Sequence, residues 1–152
     1  MALDFEQPFT ERTPRVVNAG KLKRAAGRRK AKAFLVEGEN AVEAAVATGA
    51  ATDLFVTETA AERFEEIVRA AGYMDVYTHA ITDKAADVLA DAVTSTGIFA
   101  VCRPVLWTVP KILKGRPRLV GVCVETNDPG NAGTIIRIAD AVGADAVIFA
   151  GD

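Results

Sequence analysis

Near the end of the chain stands the stretch "NDPGNAGTIIRIA", residues 127–139, whose residue types and spacing suit chemistry on a ligand. Pro129 fixes its own φ and stops a premature helix, and Gly130 permits a sharp reversal or a close backbone approach. Asn131 suits the N-cap of the helix that follows, and Gly133 leaves room for another backbone or a ligand. Free amides at such a helix start favour an anion such as a phosphate. Arg137 lies six residues beyond Asn131, less than two helical turns on and rotated well round the axis. Its neighbours Ile135, Ile136, Ile138 and Ala139 are apolar, so its permanent charge needs solvent or a specific partner. The stretch is not a dinucleotide turn, which needs G-x-G-x-x-G, nor a P-loop, which needs G-K-[ST].

A second candidate lies in the charge pattern. The net charge is −2, yet from Arg15 to Lys32 there are eight basic residues and no acidic one. These are Arg15, Lys21, Lys23, Arg24, Arg28, Arg29, Lys30 and Lys32. A second acid-free stretch runs from Arg103 to Arg118, and the two windows hold 13 of the 18 basic residues. A solvated helix face is the plainer reading of any single charge run. Two such runs in a small, otherwise acidic chain point to a polyanion and to nucleic acid, with Arg15, Lys21, Arg24, Arg28, Arg29, Lys30 and Lys32 as phosphate contacts.

The elements that must position these residues follow from the apolar periodicity. "FLVEG", "DLFVTE", "MDVYTH" and "GIFAVCRP" read as strands, alternating with helices in "ENAVEAAVATG", "TAAERFEEIVRAAG" and "ITDKAADVLADAV". Thr59 is expected to cap the second of these helices and Gly72 to end it. In the third, Thr82 or Asp83 is the expected cap, with Val88 and Leu89 facing inward. This alternation predicts an α/β layered domain with a largely parallel sheet. "PVLWTVPKILKGRP" breaks the rhythm and reads as a linker, in which Trp107 could stack on a base but packing on a domain face is the plainer role. "RLVGVCVE", a helix from about Asn131 and "DAVIFAG" then form one βαβ unit, which cannot bury both faces of its sheet and so reads as a domain cut off partway.

The remaining totals exclude other classes. No apolar run approaches the roughly 18 to 20 residues that cross a bilayer, and "MALDFEQPFTERTPR" does not read as a signal peptide. Cys102 and Cys123 sit in strand-like runs without metal-ligand spacing, as reduced thiols of a cytoplasmic protein do. No metal is expected. Glu37 and Glu39, flanking Gly38, read as turn and capping residues, and His79 has no evident partner along the sequence.

"NAGTIIRIA" fits N-x-G-x-x-x-R-x-A and, with the preceding "DPG", resembles the first signature of the SpoU family of RNA 2′-O-ribose methyltransferases. "FLVEGENAVEAAVATG" and "TSTGIFAV" resemble the start and the closing strand of that family's substrate-binding domain. The resemblance implies an L30e-like three-layer α/β/α domain followed by the truncated βαβ start of a SPOUT domain, the α/β knot. It divides the chain into a tail at 1–14, an RNA substrate-binding domain at 15–103, a linker at 104–117 and an incomplete methyltransferase domain at 118–152. It implies S-adenosylmethionine as cofactor, rRNA or tRNA as substrate, a homodimer in the intact enzyme, and Asn131 and Arg137 in the active site. Arg137 would orient the 2′-hydroxyl or stabilise its forming alkoxide, a guanidinium being too weak a base to take the proton at neutral pH. The signatures that complete the cofactor pocket are absent, so this chain is expected to bind RNA and to be inactive alone. Two other readings stand beside this one: an L30e-like RNA-binding module without catalysis, and a small α/β nucleotide-binding protein.

Overall fold

The computed structural model describes residues 3–91 and 94–151, in two compact units that meet between Val105 and Leu106. In the first unit, strands β1 (Phe34–Glu37), β2 (Ala51–Val56), β3 (Tyr77–Ala80) and β4 (Ile98–Cys102) form one sheet in the order β1-β4-β2-β3. Helices cover both faces, and the strand sequences show why. In β2, Leu54 and Val56 point to one side and Phe55 to the other; in β4, Ile98, Ala100 and Cys102 oppose Phe99. Strands covered on both faces carry continuous apolar runs instead of alternate apolar positions, as Leu54–Val56 and Ile98–Cys102 do.

On one face Leu54, Val56 and Ile98 pack against α3 (Glu39–Ala47) and the pair α4 (Glu58–Arg63) and α5 (Glu65–Tyr73). On the other, Phe55 and Phe99 pack against α1 (Pro14–Gly20) and α6 (Asp83–Leu89). Phe55 and Phe99 are almost wholly buried; each such side chain contributes about 1.5–3 kcal/mol relative to exposure. The result is a three-layer α/β/α arrangement. Burial also pushes the Cys102 thiol up to about 11, which leaves it unreactive.

The sheet is mixed, not largely parallel. Only β2 and β3 are parallel, while β4 lies between β1 and β2 and runs antiparallel to both. After β3 the chain makes the short α6, and β4 starts at the end of the sheet that β3 had left, Val56 lying opposite both Ala80 and Ile98. The chain enters β4 there, with Gly38 N donating to Ile98 O and Thr57 N to Gly97 O. Gly97 is held at φ +76°, and a Cβ on it would stand 2.6 Å from Thr57 Oγ1, so the entry to β4 requires glycine. Glu37 ties down the same loop, accepting hydrogen bonds from Asp91 N, Thr96 N and Thr96 Oγ1.

Several local expectations change as well. The helix expected to start at Thr59 begins after Thr57, whose hydroxyl accepts from Ala60 N. It breaks at Phe64, which is drawn into the core, and continues past Gly72 to Tyr73. Thr82 caps α6, and Leu89 faces inward, but Val88 is exposed. Within the stretch 1–14, read as a tail, Phe9 extends the sheet beside β3: its N–H donates to Ala80 O, and Thr82 N donates to its carbonyl.

His79 does have a partner. Its Nε2 lies 3.0 Å from Asp53 Oδ1, between the rings of Phe9 and Phe55. An ionised carboxylate only accepts, so Nε2 carries the proton. Arg15 Nη1 reaches the same oxygen at 2.6 Å, and Thr52 Oγ1 donates to the other. Burial alone would raise the Asp53 carboxyl. The hydrogen bonds from His79 and Thr52 and the charge of Arg15 outweigh it and hold the group below its ordinary 3.8. A carboxylate lowered in the folded state stabilises above its unfolded value and loses that contribution as pH falls through the folded one. Asp53→Asn is therefore expected to lower the urea midpoint at pH 7. The gap from the unaltered chain should shrink as pH falls below 3.8; a gap that persists undiminished in stronger acid would contradict this account.

The second unit consists of α7 (Val109–Lys114), β5 (Val120–Val124), α8 (Pro129–Ala141) and β6 (Ala146–Ala150). Strands β5 and β6 are parallel, from Val120 opposite Ala146 to Val124 opposite Ala150. Asp145 joins their starts by accepting from Arg118 N and Leu119 N. The segment read as a linker thus contains a short helix. Trp107 is exposed instead of packed on a domain face, with Lys111 Nζ 3.7 Å from its ring centre.

Candidate functional site

The basic stretch folds as α1, a 3₁₀ turn at Lys21–Lys23, and α2 (Ala25–Ala31). Gly27 is the reason α2 lies directly on that turn: a Cβ there would stand 2.0 Å from Lys21 O and 2.8 Å from Lys21 C. Two cations then fix the turn in place. Lys23 Nζ donates to Ala90 O at 2.5 Å, satisfying a carbonyl that follows α6. Arg28 Nη1 donates to Leu22 O and Lys23 O.

The seven expected phosphate contacts are all exposed, but the structure sorts them. Arg15 is engaged by Asp53 and Arg28 by backbone carbonyls. Lys21, Arg24 and Lys30 line one groove of about 510 Å³, together with Val17, Gly20, Ala26, Gly27, Val88 and Glu11. Lys21 donates to the neutral Asn18 amide. Among the described residues none of Lys21, Arg24, Arg29, Lys30 and Lys32 is paired with a carboxylate. Their charge is therefore available to an anion. Sequence reasoning does not find Val88 or Gly20 as lining residues, because the helical spacing of Val88 points to the core.

In the second unit Asp128, not Asn131, is the N-cap of α8. Its carboxylate accepts from Asn131 N at 2.7 Å, with Pro129 as the first helical residue. Asn131 is thus the third residue of the helix, and a first-turn amide that an external anion was expected to use is already served by Asp128. Thr134 Oγ1 donates to Gly130 O at 2.9 Å and accepts from Arg137 Nη2 at 3.1 Å. The guanidinium thus turns back along α8 toward its N-terminus, as long helical side chains do. It passes over Gly133, where a Cβ would lie 3.7 Å from Nη1. Asn131 and Arg137 are both exposed, and no hydrogen bond joins them among the described residues. Arg137 is positioned by a glycine and a neutral hydroxyl, and among the described residues no carboxylate pairs with it.

Among the described residues no helix is long and apolar enough to cross a membrane. Residues 35–107 match the family model for RNA 2′-O ribose methyltransferase substrate binding. The chain is 30% identical over 123 residues to the 23S rRNA (guanosine(2553)-2′-O)-methyltransferase RlmP of Bacillus subtilis, covering 80% of this chain and 45% of that protein. In structure it is similar to an rRNA methyltransferase from Sinorhizobium meliloti, with a TM-score of 0.76 at 20% identity over 94% of this chain and 54% of the other. It is also similar to the SpoU methyltransferase AviRb from Streptomyces viridochromogenes, with a TM-score of 0.69 at 23% identity over 93% of this chain and 55% of the other. The chain spans about half the length of these relatives. Residues 35–107 thus match the substrate-binding region of RNA 2′-O ribose methyltransferases, and the chain as a whole is similar to methyltransferases of the SpoU kind.

Proposed function

We propose that this chain is the RNA-recognising part and the first active-site element of an S-adenosylmethionine-dependent RNA 2′-O-ribose methyltransferase. Residues 15–103 recognise RNA, 104–117 connect, and 118–152 begin the methyltransferase domain. The substrate is rRNA in preference to tRNA, since the Bacillus and Sinorhizobium relatives are named as rRNA methyltransferases. The intact enzyme works in the cytoplasm as a homodimer.

The observation that carries this reading is the groove of Lys21, Arg24 and Lys30, three cations without a carboxylate partner, in the same chain as an unneutralised Arg137 on α8. AviRb is described in complex with AdoMet, the methyl donor. The described residues of the second unit do not by themselves enclose such a cofactor. Strands β5 and β6 form only a two-stranded sheet, on which Val122 and Val124 are 62% and 68% exposed. They offer one open wall, and binding of the donor requires further polypeptide.

Lys21, Arg24 and Lys30 are the phosphate contacts of this reading. Replacing all three by alanine is expected to weaken RNA binding at every sequence. The slope of log affinity against log salt should fall by about 2 to 3. Fluorescence anisotropy over a salt series measures both. An unchanged slope would remove these residues from the interface.

A further inference from the structure

The groove beside the basic turn is not built as a phosphate track alone. Phosphates need cations, and Lys21, Arg24 and Lys30 supply them. They do not need an apolar floor, yet Val17 and Val88 are exposed there and Ala26 joins them. The open space is not forced by the backbone. Gly20 has ordinary helical angles, φ −59° and ψ −30°, and a Cβ on it would come no closer than 3.8 Å to Val88. Glu11, the acidic residue of the lining, is paired with Lys84 at 3.2 Å, so its charge is offset. An apolar slot with cations around it matches a nucleobase and its neighbouring phosphates: the flat ring needs desolvating contact and the backbone needs charge.

We infer that this groove takes one unstacked nucleobase of the bound RNA, while Lys21, Arg24 and Lys30 hold the adjacent phosphates. The chain then selects unpaired over duplex RNA by shape, without reading a base edge. This rests on the RNA-binding reading above and adds to it a preference that phosphate contacts alone do not create.

The test uses this chain with three probes of equal phosphate number: a single-stranded oligouridine, a ribose-spacer oligomer without bases, and a blunt RNA duplex. Anisotropy is expected to show the oligouridine binding about tenfold more tightly than the spacer or the duplex, the scale of one base contact. Gly20→Leu fills the groove from a position that tolerates a side chain. It should bring the oligouridine down to the spacer's affinity while leaving the salt slope as it was. Equal affinity of the unaltered chain for oligouridine and spacer overturns the inference, a result that needs no variant to fold. A base preference that survives Gly20→Leu overturns it too, by placing the base elsewhere. Failure of every probe to bind at low salt removes the RNA reading itself.

Discussion

Arg137→Ala is expected to slow methyl transfer about 10²- to 10³-fold when this chain is carried in a protein of its relatives' full length, the usual cost of one preorganised donor at a developing oxyanion. The expectation follows from how the side chain is held. Its hydrogen bond goes to the neutral Thr134 hydroxyl, and Gly133 leaves it room to lie along α8. Its charge is not spent on a carboxylate, so it can act on a phosphate or on the alkoxide forming from a ribose hydroxyl. Arg137→Lys keeps the charge but loses the planar fork and is expected to recover only part of the rate. Gly133→Val leaves the guanidinium present but crowds the place where it lies, and should cost less than its removal. Single-turnover methyl incorporation reads the rate, while anisotropy on the same proteins reads RNA affinity, which should hardly change. Full-rate transfer by Arg137→Ala would take the residue out of the reacting centre.

Much of this architecture is legible in the sequence, and what is not has identifiable causes. Strand positions in the first unit follow from apolar runs because both sheet faces are covered, and Thr82 and Gly143 mark helix ends as their types suggest. The direction of β4 is not legible. Periodicity fixes an element's type but not the end of the sheet at which the chain re-enters, which here depends on the bonds from Gly38 to Ile98 and from Thr57 to Gly97. The cap of α8 is ambiguous because Asp128 and Asn131 are both good capping residues. The signal that separates them is Pro129, which belongs at the first helical position and so places the cap on Asp128. The partner of His79 is invisible because Asp53 lies 26 residues away and meets it only when β2 and β3 pair. The same limit applies to the basic stretch. Eight cations are evident in the sequence, but only tertiary contacts show that Arg15, Lys23 and Arg28 hold the fold together.

Gly27→Ala isolates the part of that stretch on which the proposed interface depends. The added methyl would stand 2.0 Å from a backbone oxygen and 2.8 Å from a backbone carbon, and neither can move aside as a flexible side chain does. Overpacking of this kind costs about 1–3 kcal/mol. None of the residues of α2 is buried, so detaching the helix costs the chain less than deforming the 3₁₀ turn beneath it. The thermal midpoint is therefore expected to fall little, while hydrogen-exchange protection over 25–31 is lost. With α2 detached, Arg24 and Lys30 no longer share a groove with Lys21, and the salt slope of RNA binding should fall by about two. Gly20→Ala, seven residues earlier in the same segment, is the control of opposite sign. Its methyl meets only Val88 at 3.8 Å in an ordinary helical conformation, and it should stabilise by about 0.4–1 kcal/mol. The two glycines of this segment thus have different causes, one a backbone contact and the other an open groove. Full protection and unchanged RNA affinity in Gly27→Ala would show that the presentation of these cations does not depend on α2 packing on the turn.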